Sequence, residues 1–253
     1  MGIRAAQVFT ANPRRHTSGV LPEGDVKSFR ERSGGVLWLA HCSYLINPAS
    51  GKPEISERSR ASLRAEFDRC FSLGIGRCVL HPGSAPGPDR KGGVRRAVEM
   101  VGSLLEESPD GPVLLLENTS GAGGNLCGDL EELRGILDMI AVPGRVGACL
   151  DTAHAHGYGY LLDTPDHALA FCRAVAGLFA GYPIAFHLND SGAERGSRSD
   201  RHRAPGCGAV GMASLAAVES FAAFSGSPGV LETPGDDSDR LSDLRRLLGF
   251  RWN

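Results

Sequence analysis

Six times along this chain a short aliphatic run ends on a side chain that can hold a metal ion: His41, His81, Glu117, Asp151, His187 and Glu232. The intervals between them run from 34 to 45 residues, about the length of one strand, one helix and their connections. Between the runs, apolar residues recur at helical spacing, as in Leu63, Phe67, Cys70 and Phe71, or Leu130, Leu133, Ile136, Leu137 and Ile140. Strand alternating with helix predicts a parallel sheet with helices outside. A potential ligand at every strand end predicts a TIM-type (β/α)8 barrel, an α/β fold whose site is built from the carboxyl ends of its strands. A doubly wound sheet would instead concentrate its site at one switch point. Seven such runs are recognisable, at 6–9, 36–40, 78–80, 113–116, 146–150, 184–186 and 230–231, and residues 10–35 read as a polar connection. A barrel of this kind has eight strands, so one βα unit is unaccounted for at the N-terminal end and two strand edges are expected to be open.

The 253 residues, 42% hydrophobic, suffice for one substantial core and read as a single domain. A formal charge of −2 argues against a general polyanion-binding coat but leaves room for a local basic face. Seven scattered cysteines without a C-x-x-C pair fit free thiols in a reducing compartment, so a cytoplasmic protein is expected. No apolar run reaches membrane length.

Two further stretches enlarge the ligand set. Asp151-Thr-Ala-His154 places a second candidate in the turn after a strand, and Ser197-Arg-Ser-Asp200-Arg-His202 carries Asp and His at i and i+2. In an extended segment those two side chains point the same way and can grip one cation. A strand-end histidine taken singly is more often a packing residue, and a strand-end carboxylate often caps the next helix. Nine at one rim is a different case: five imidazoles (41, 81, 154, 187, 202) and four carboxylates (117, 151, 200, 232). Without cations, that crowd would leave repelling charges in a partly buried bowl. The donor set suits Zn²⁺, Mn²⁺ or Fe²⁺ and is large enough for two or three ions.

At these residues the chain resembles the endonuclease IV family of apurinic/apyrimidinic endonucleases, zinc-dependent barrel enzymes of DNA repair. The resemblance runs through Phe9-Thr-Ala-Asn-Pro-Arg14, His41-Cys-Ser-Tyr44-Leu45-Ile-Asn47, His81-Pro-Gly-Ser84 and Glu117-Asn-Thr-Ser-Gly121. It continues through Leu150-Asp151-Thr-Ala-His154, His187-Leu-Asn-Asp190, Gly196-Ser-Arg-Ser-Asp200-Arg-His202 and Leu231-Glu232-Thr233. It implies three zinc ions, with Mn²⁺ an alternative at one position. His41 and His81 would hold the first, and Glu117 would bridge it to the second. Asp151, His187 and Glu232 would complete the second, and His154, Asp200 and His202 would hold the third. Glu117, Asp151 and Glu232 then lie closest to the chemistry. That chemistry would be metal-assisted hydrolysis of the phosphodiester 5′ to an abasic site in double-stranded DNA, together with trimming of blocked 3′ ends. Arg14, Tyr44 and Leu45 would enter the base stack at the lesion, and Arg198 and Arg201 would contact phosphate, the protein acting as a monomer.

The chain departs from the family pattern in places. The family's first strand and helix have no counterpart, Cys207 stands in Pro205-Gly-Cys-Gly where the family commonly has Gly-Glu-Gly, and His16 replaces a frequent Trp. Arg195, Arg203, Arg15, Arg90, Lys91, Arg95 and Arg96 are further candidates for a basic rim, whereas His156 and His167 match no ligand motif and are expected at the surface. Xylose-isomerase-like sugar isomerases and epimerases also place acidic and His ligands at strand ends, and are the competing class. A lesion-binding protein without catalysis is the third.

Overall fold

The computed structural model describes residues 3–16, 19–142 and 144–250. Its strands are β1 (Ala5–Val8), β2 (Leu37–His41), β3 (Arg77–Leu80), β4 (Val113–Glu117), β5 (Val146–Asp151), β6 (Ile184–His187), β7 (Asp190–Ser191), β8 (His202–Arg203) and β9 (Gly229–Val230). Seven of them form one parallel sheet in the order β1-β2-β3-β4-β5-β6-β9, and β7 and β8 make a small antiparallel pair. The sheet curls into a nearly closed barrel: β1 and β9 pack against each other across the remaining seam, with no ladder between them among the described residues. The seven-strand count and the barrel both follow the sequence pattern.

The helices are α1 (Glu23–Arg32), α2 (Pro53–Leu73), α3 (Arg90–Glu107), α4 (Leu130–Ile140), α5 (Thr152–Tyr158), α6 (Pro165–Leu178), α7 (Met212–Ser225) and α8 (Asp237–Gly249). Four of them, α4, α5, α6 and α8, start on a side-chain cap. The Asp129 side chain caps α4 by accepting from the Glu131 N–H, and Thr164 caps α6 ahead of Pro165, whose missing donor costs nothing in a first turn. The α4 stripe of Leu130, Leu133, Ile136, Leu137 and Ile140 is buried throughout. Phe71, placed by its spacing on the buried face of α2, is instead 61% exposed. The polar connection at 10–35 holds α1, which buries no residue fully and packs through Val26 and Phe29, the latter edge-on to Trp38. Two apolar residues are too short a stripe to read as a helix.

Two cores result. One lies between the sheet and its helices. The other fills the barrel interior with Leu39, Val79, Leu115, Cys149, Ala185 and Val230, and Ala5 packs against it. Successive side chains on a strand point to opposite faces, so the residue two positions further on faces inward again. In the same strand order those residues are His41, His81, Glu117, Asp151, His187 and Glu232, and after Ala5 comes Gln7. The candidate ligands are therefore one layer of the barrel, stacked on an apolar layer that excludes water beneath them. All seven cysteines are free thiols, six of them buried. Among the described residues, no helix is long and apolar enough to cross a membrane.

Candidate metal centre

Glu117 is fully buried at the middle of the layer, and its two oxygens face different partners. Oε2 lies 3.1 Å from His41 Nε2 and 2.9 Å from His81 Nε2. Oε1 lies 3.0 Å from His187 Nδ1 and 3.2 Å from His154 Nδ1. Three groups of donor atoms converge within 4.8 Å of one another: His41, His81 and Glu117; Glu117, Asp151, His187 and Glu232; and Asp151, His154 and His202. Asp200 flanks the last group, 3.2 Å from both His154 Nε2 and His202 Nε2, with its own side chain half exposed. The structure thus brings all nine sequence candidates together, with Asp151 turned toward the third group as well as the second.

Three of the candidate ligands, His41, His154 and Asp151, are held from behind. His41 Nδ1 lies 2.7 Å from the Cys42 carbonyl and His154 Nδ1 lies 2.9 Å from the Asn118 carbonyl, so in each ring Nδ1–H donates and Nε2 is left toward the cluster. Asp151 caps α5, accepting from the His154 N–H at 2.6 Å, while its other oxygen accepts from Asn189 Nδ2 at 2.5 Å. Asn118 grips the Asp151 backbone on both sides. Asn118 and Asn189 are not among the sequence candidates; their signal is position, each directly following or lying two after a strand-end ligand.

The fields are strong. Burial would raise the Glu117 carboxyl, but the charges of His187 and His81 and hydrogen bonds from the imidazoles hold it well below the carboxylate range. Burial opposes ionisation of Glu232 too, yet His187 brings it down to about 2. Burial likewise lowers His154 and His187, and the surrounding acidic groups override it and push both well above an ordinary histidine. Buried imidazole–carboxylate clusters of this density are costly unless fully paired, and the pairing here is incomplete. His202 Nε2 is buried and makes no hydrogen bond of good geometry, though it stands 3.2 Å from Asp200 Oδ1 and 3.5 Å from Asp151 Oδ2. An orphaned ring nitrogen aimed at carboxylates is what a cation would satisfy, and the nitrogen and oxygen donors fit a divalent ion such as zinc. Burial pushes the Cys149 thiol up to about 12, and Cys149 belongs to the apolar layer below the donors.

The loop that carries Asp200 and His202 is fastened at two ends. Gly196 N–H donates to the His156 carbonyl and Arg198 N–H to the Gly157 carbonyl, so the loop lies on the last turn of α5. Gly157 is required there: a Cβ would come within 2.6 Å of the Ser199 carbonyl oxygen. At the other end, buried Asp190 accepts backbone N–H groups from Gly206, Gly208, Val210 and Gly211, fixing the return of the chain beside the β7–β8 pair. The same loop covers His156, which is 3% exposed and has neither ring nitrogen hydrogen-bonded; burial lowers its basicity. His156 is therefore not a surface residue as expected, whereas His167 is exposed and paired with Asp163.

The rim residues divide. Tyr44 and Leu45 are 50% and 41% exposed, with the Tyr44 ring 5.4 Å from that of His41 and 5.8 Å from that of His81. The Tyr44 N–H donates to the Pro13 carbonyl, joining this loop to the one bearing exposed Arg14. Arg198 takes a left-handed backbone (φ 58°) and stacks its guanidinium 3.6 Å from the Tyr158 ring centre; Arg201 is exposed. Arg90 and Arg96 are already engaged, Arg90 by both oxygens of Glu132 and Arg96 by Asp89 and the Ala49 carbonyl.

Residues 1–250 match the model of the xylose isomerase-like TIM barrel family. A "Probable endonuclease 4" from Nitratidesulfovibrio vulgaris strain Hildenborough is 40% identical, over 98% of this chain and 91% of its own length. Endonuclease IV from Thermus thermophilus superposes with a TM-score of 0.82 at 31% identity, over 96% of this chain and 87% of that one. A D-tagatose 3-epimerase-like protein reaches a TM-score of 0.75 at 18% identity, over 98% of this chain and 88% of that one, a likeness of fold alone. The chain belongs to the endonuclease IV family, within the xylose isomerase-like TIM barrels.

Proposed function

We propose that this chain is a DNA-repair hydrolase that cleaves the phosphodiester 5′ to an abasic site and trims blocked 3′ ends. The observation that carries the reading is Glu117, whose two oxygens face two separate groups of imidazoles from a fully buried position. A bridging carboxylate of that kind suits a multinuclear site built for a phosphate. The similarity to endonuclease 4 proteins over nearly the whole chain supports the substrate class. His41 and His81 would hold the first of three divalent ions and Glu117 would bridge to the second. Asp151, His187 and Glu232 would complete the second; His154, Asp200 and His202 would hold the third, with Asp151 Oδ2 beside it. Bound there, zinc, or Mn²⁺ at one position, supplies Lewis acidity to the phosphate and activates water near neutral pH.

The remaining work falls to the protein. Glu117, Asp151 and Glu232 ring the reacting centre with fixed negative charge. Asn118, Asn189 and the Cys42 carbonyl hold the ligands at fixed angles, so little reorganisation is needed when substrate arrives. Tyr44 stands beside the imidazoles as an aromatic wedge, with exposed Leu45 next to it in the chain as an aliphatic one, able to replace stacking lost when an abasic nucleotide leaves the helix. Arg14, Arg198 and Arg201 would take backbone phosphates as salt-dependent contacts. The test is a duplex with one abasic analogue, incubated with and without chelator. Chelator-sensitive incision 5′ to the lesion supports the reading. Turnover of a sugar without nicking would assign the protein to the isomerase class, and binding without turnover would make it a lesion binder.

A further inference from the structure

The ligand layer has a seventh member that no metal chemistry calls for. Gln7 stands two residues after Ala5, the same step that separates each apolar interior residue from the ligand above it on the other six strands. It lies on β1, at the edge of the seam, and its amide reaches across to the far side. Gln7 Nε2 donates to Glu232 Oε1 at 2.6 Å, and Gln7 Oε1 lies 2.9 Å from His187 Nε2.

Donor and acceptor chemistry then fixes more than two distances. Ionised Glu232 accepts only, so it must face the amide NH2, and the amide carbonyl must face His187. A carbonyl accepts only, so His187 Nε2 must carry the hydrogen. In the neutral ring this leaves the lone pair on Nδ1, the atom 3.0 Å from Glu117 Oε1 and 2.9 Å from Glu232 Oε2. One side chain therefore sets the tautomer and the ring angle of one ligand and the carboxylate plane of another. Both belong to the group formed by Glu117, Asp151, His187 and Glu232.

We propose that Gln7 is a positioning residue of the second metal position, preparing His187 and Glu232 for a cation and closing the barrel seam with a side chain where the backbone makes no ladder. The inference rests on the metal reading given above. Residues that orient ligands in this way are worth roughly 10- to 100-fold in metal affinity.

The experiment uses the full chain loaded with zinc and measures release to a chromophoric chelator, alongside the melting temperature of the metal-free protein. Gln7→Met keeps the length and loses both hydrogen bonds. One ion should then leave about 10- to 100-fold more readily, the others should be held as in the wild type, and the metal-free melting temperature should fall only by the few degrees that two lost hydrogen bonds cost. Gln7→Glu keeps the acceptor for His187 but sets an acceptor against Glu232 where the amide NH2 was, so it should recover only part of the loss. Unchanged release would overturn the proposal. So would equal loosening of every ion together with a larger fall in the metal-free melting temperature, which would make Gln7 a strut of the seam and nothing more. Equal loss in both variants would remove the tautomer argument and the proposal with it. A wild type that holds no zinc is a different result: it defeats the metal reading itself.

Discussion

Glu117 Oε1 lies 3.0 Å from His187 Nδ1, a contact between β4 and β6 that passes over the strand between them. The other oxygen of the same carboxylate faces His41 and His81. Among the described residues, no other side chain spans two of the three donor groups this way except Asp151, which belongs to the second and third. Glu117→Gln keeps the shape and removes the charge. Loss of a charge that serves two cations should cost several kcal/mol in the transition state, lowering incision at least about a hundredfold. Near-normal rates of lesion incision in this variant would contradict the bridging role.

Tyr44→Ala separates wedge from ligand. Its backbone contact to Pro13 survives the substitution, and its ring stands beside the imidazoles as a half-exposed surface. Stacking on an aromatic ring is worth about 1–3 kcal/mol, so affinity for a duplex with an abasic analogue should fall roughly five- to hundredfold. Metal content, measured on the same preparation, should be unchanged. Loss of metal would mean that Tyr44 supports the centre and does not read DNA.

Arg198 is held in place by Tyr158. The exposed Arg198 guanidinium stacks on the half-buried Tyr158 ring, which steadies it by about 0.5–1 kcal/mol. Arg198→Ala should weaken DNA binding similarly for lesioned and intact duplex and reduce the salt slope by about 1. Tyr158→Phe should bind as the wild type does, and Tyr158→Leu should fall between. An Arg198→Ala protein with an unaltered salt slope would show that this guanidinium touches no phosphate.

Stability of the metal-free protein should depend on pH in a defined sense. In His154 and His187 burial opposes the charged form, but the acidic neighbours prevail and raise both well above 6.5. Their contribution is fully present below pH 6.5 and is lost as pH rises through the raised folded values. Glu232 goes the other way, from 4.5 to about 2, burial being outweighed by His187, so its contribution is present above 4.5 and lost as pH falls toward 2. The stripped protein should therefore melt highest between about pH 4.5 and 6.5. Cation binding requires unprotonated imidazoles, and these two are raised, so the rise in melting temperature on adding zinc should grow as pH increases above about 6.5. A gain that shrinks over that range would count against imidazole ligation.

How much of this can be read from the chain depends on what each residue's neighbours reveal. Six of the nine candidate ligands are legible because an apolar run names the strand, and its last inward position names the layer; His41 and Asp151 need no tertiary knowledge. Gln7 sits at the same position on β1 but gives no such signal, because an amide is not a ligand and its two partners lie 180 and 225 residues away. His156 reads as a surface residue because no ligand motif marks it, yet in the fold it is 3% exposed, with the loop above α5 bonded to the backbone at His156 and Gly157. Arg90 and Arg96 look like free rim cations in sequence, and only the fold sets Glu132 and Asp89 against them. Periodicity reports which face a residue takes, and it is silent on which distant loop comes to cover that face.

The central claim is that the strand ends of this barrel hold a cluster of divalent cations, and its most direct measurement is elemental analysis of purified protein against protein concentration. The account expects three zinc equivalents per chain, or two with one manganese, falling by at least one in Glu117→Gln. Purified, folded protein with no transition metal, and none taken up when zinc is supplied, would contradict it.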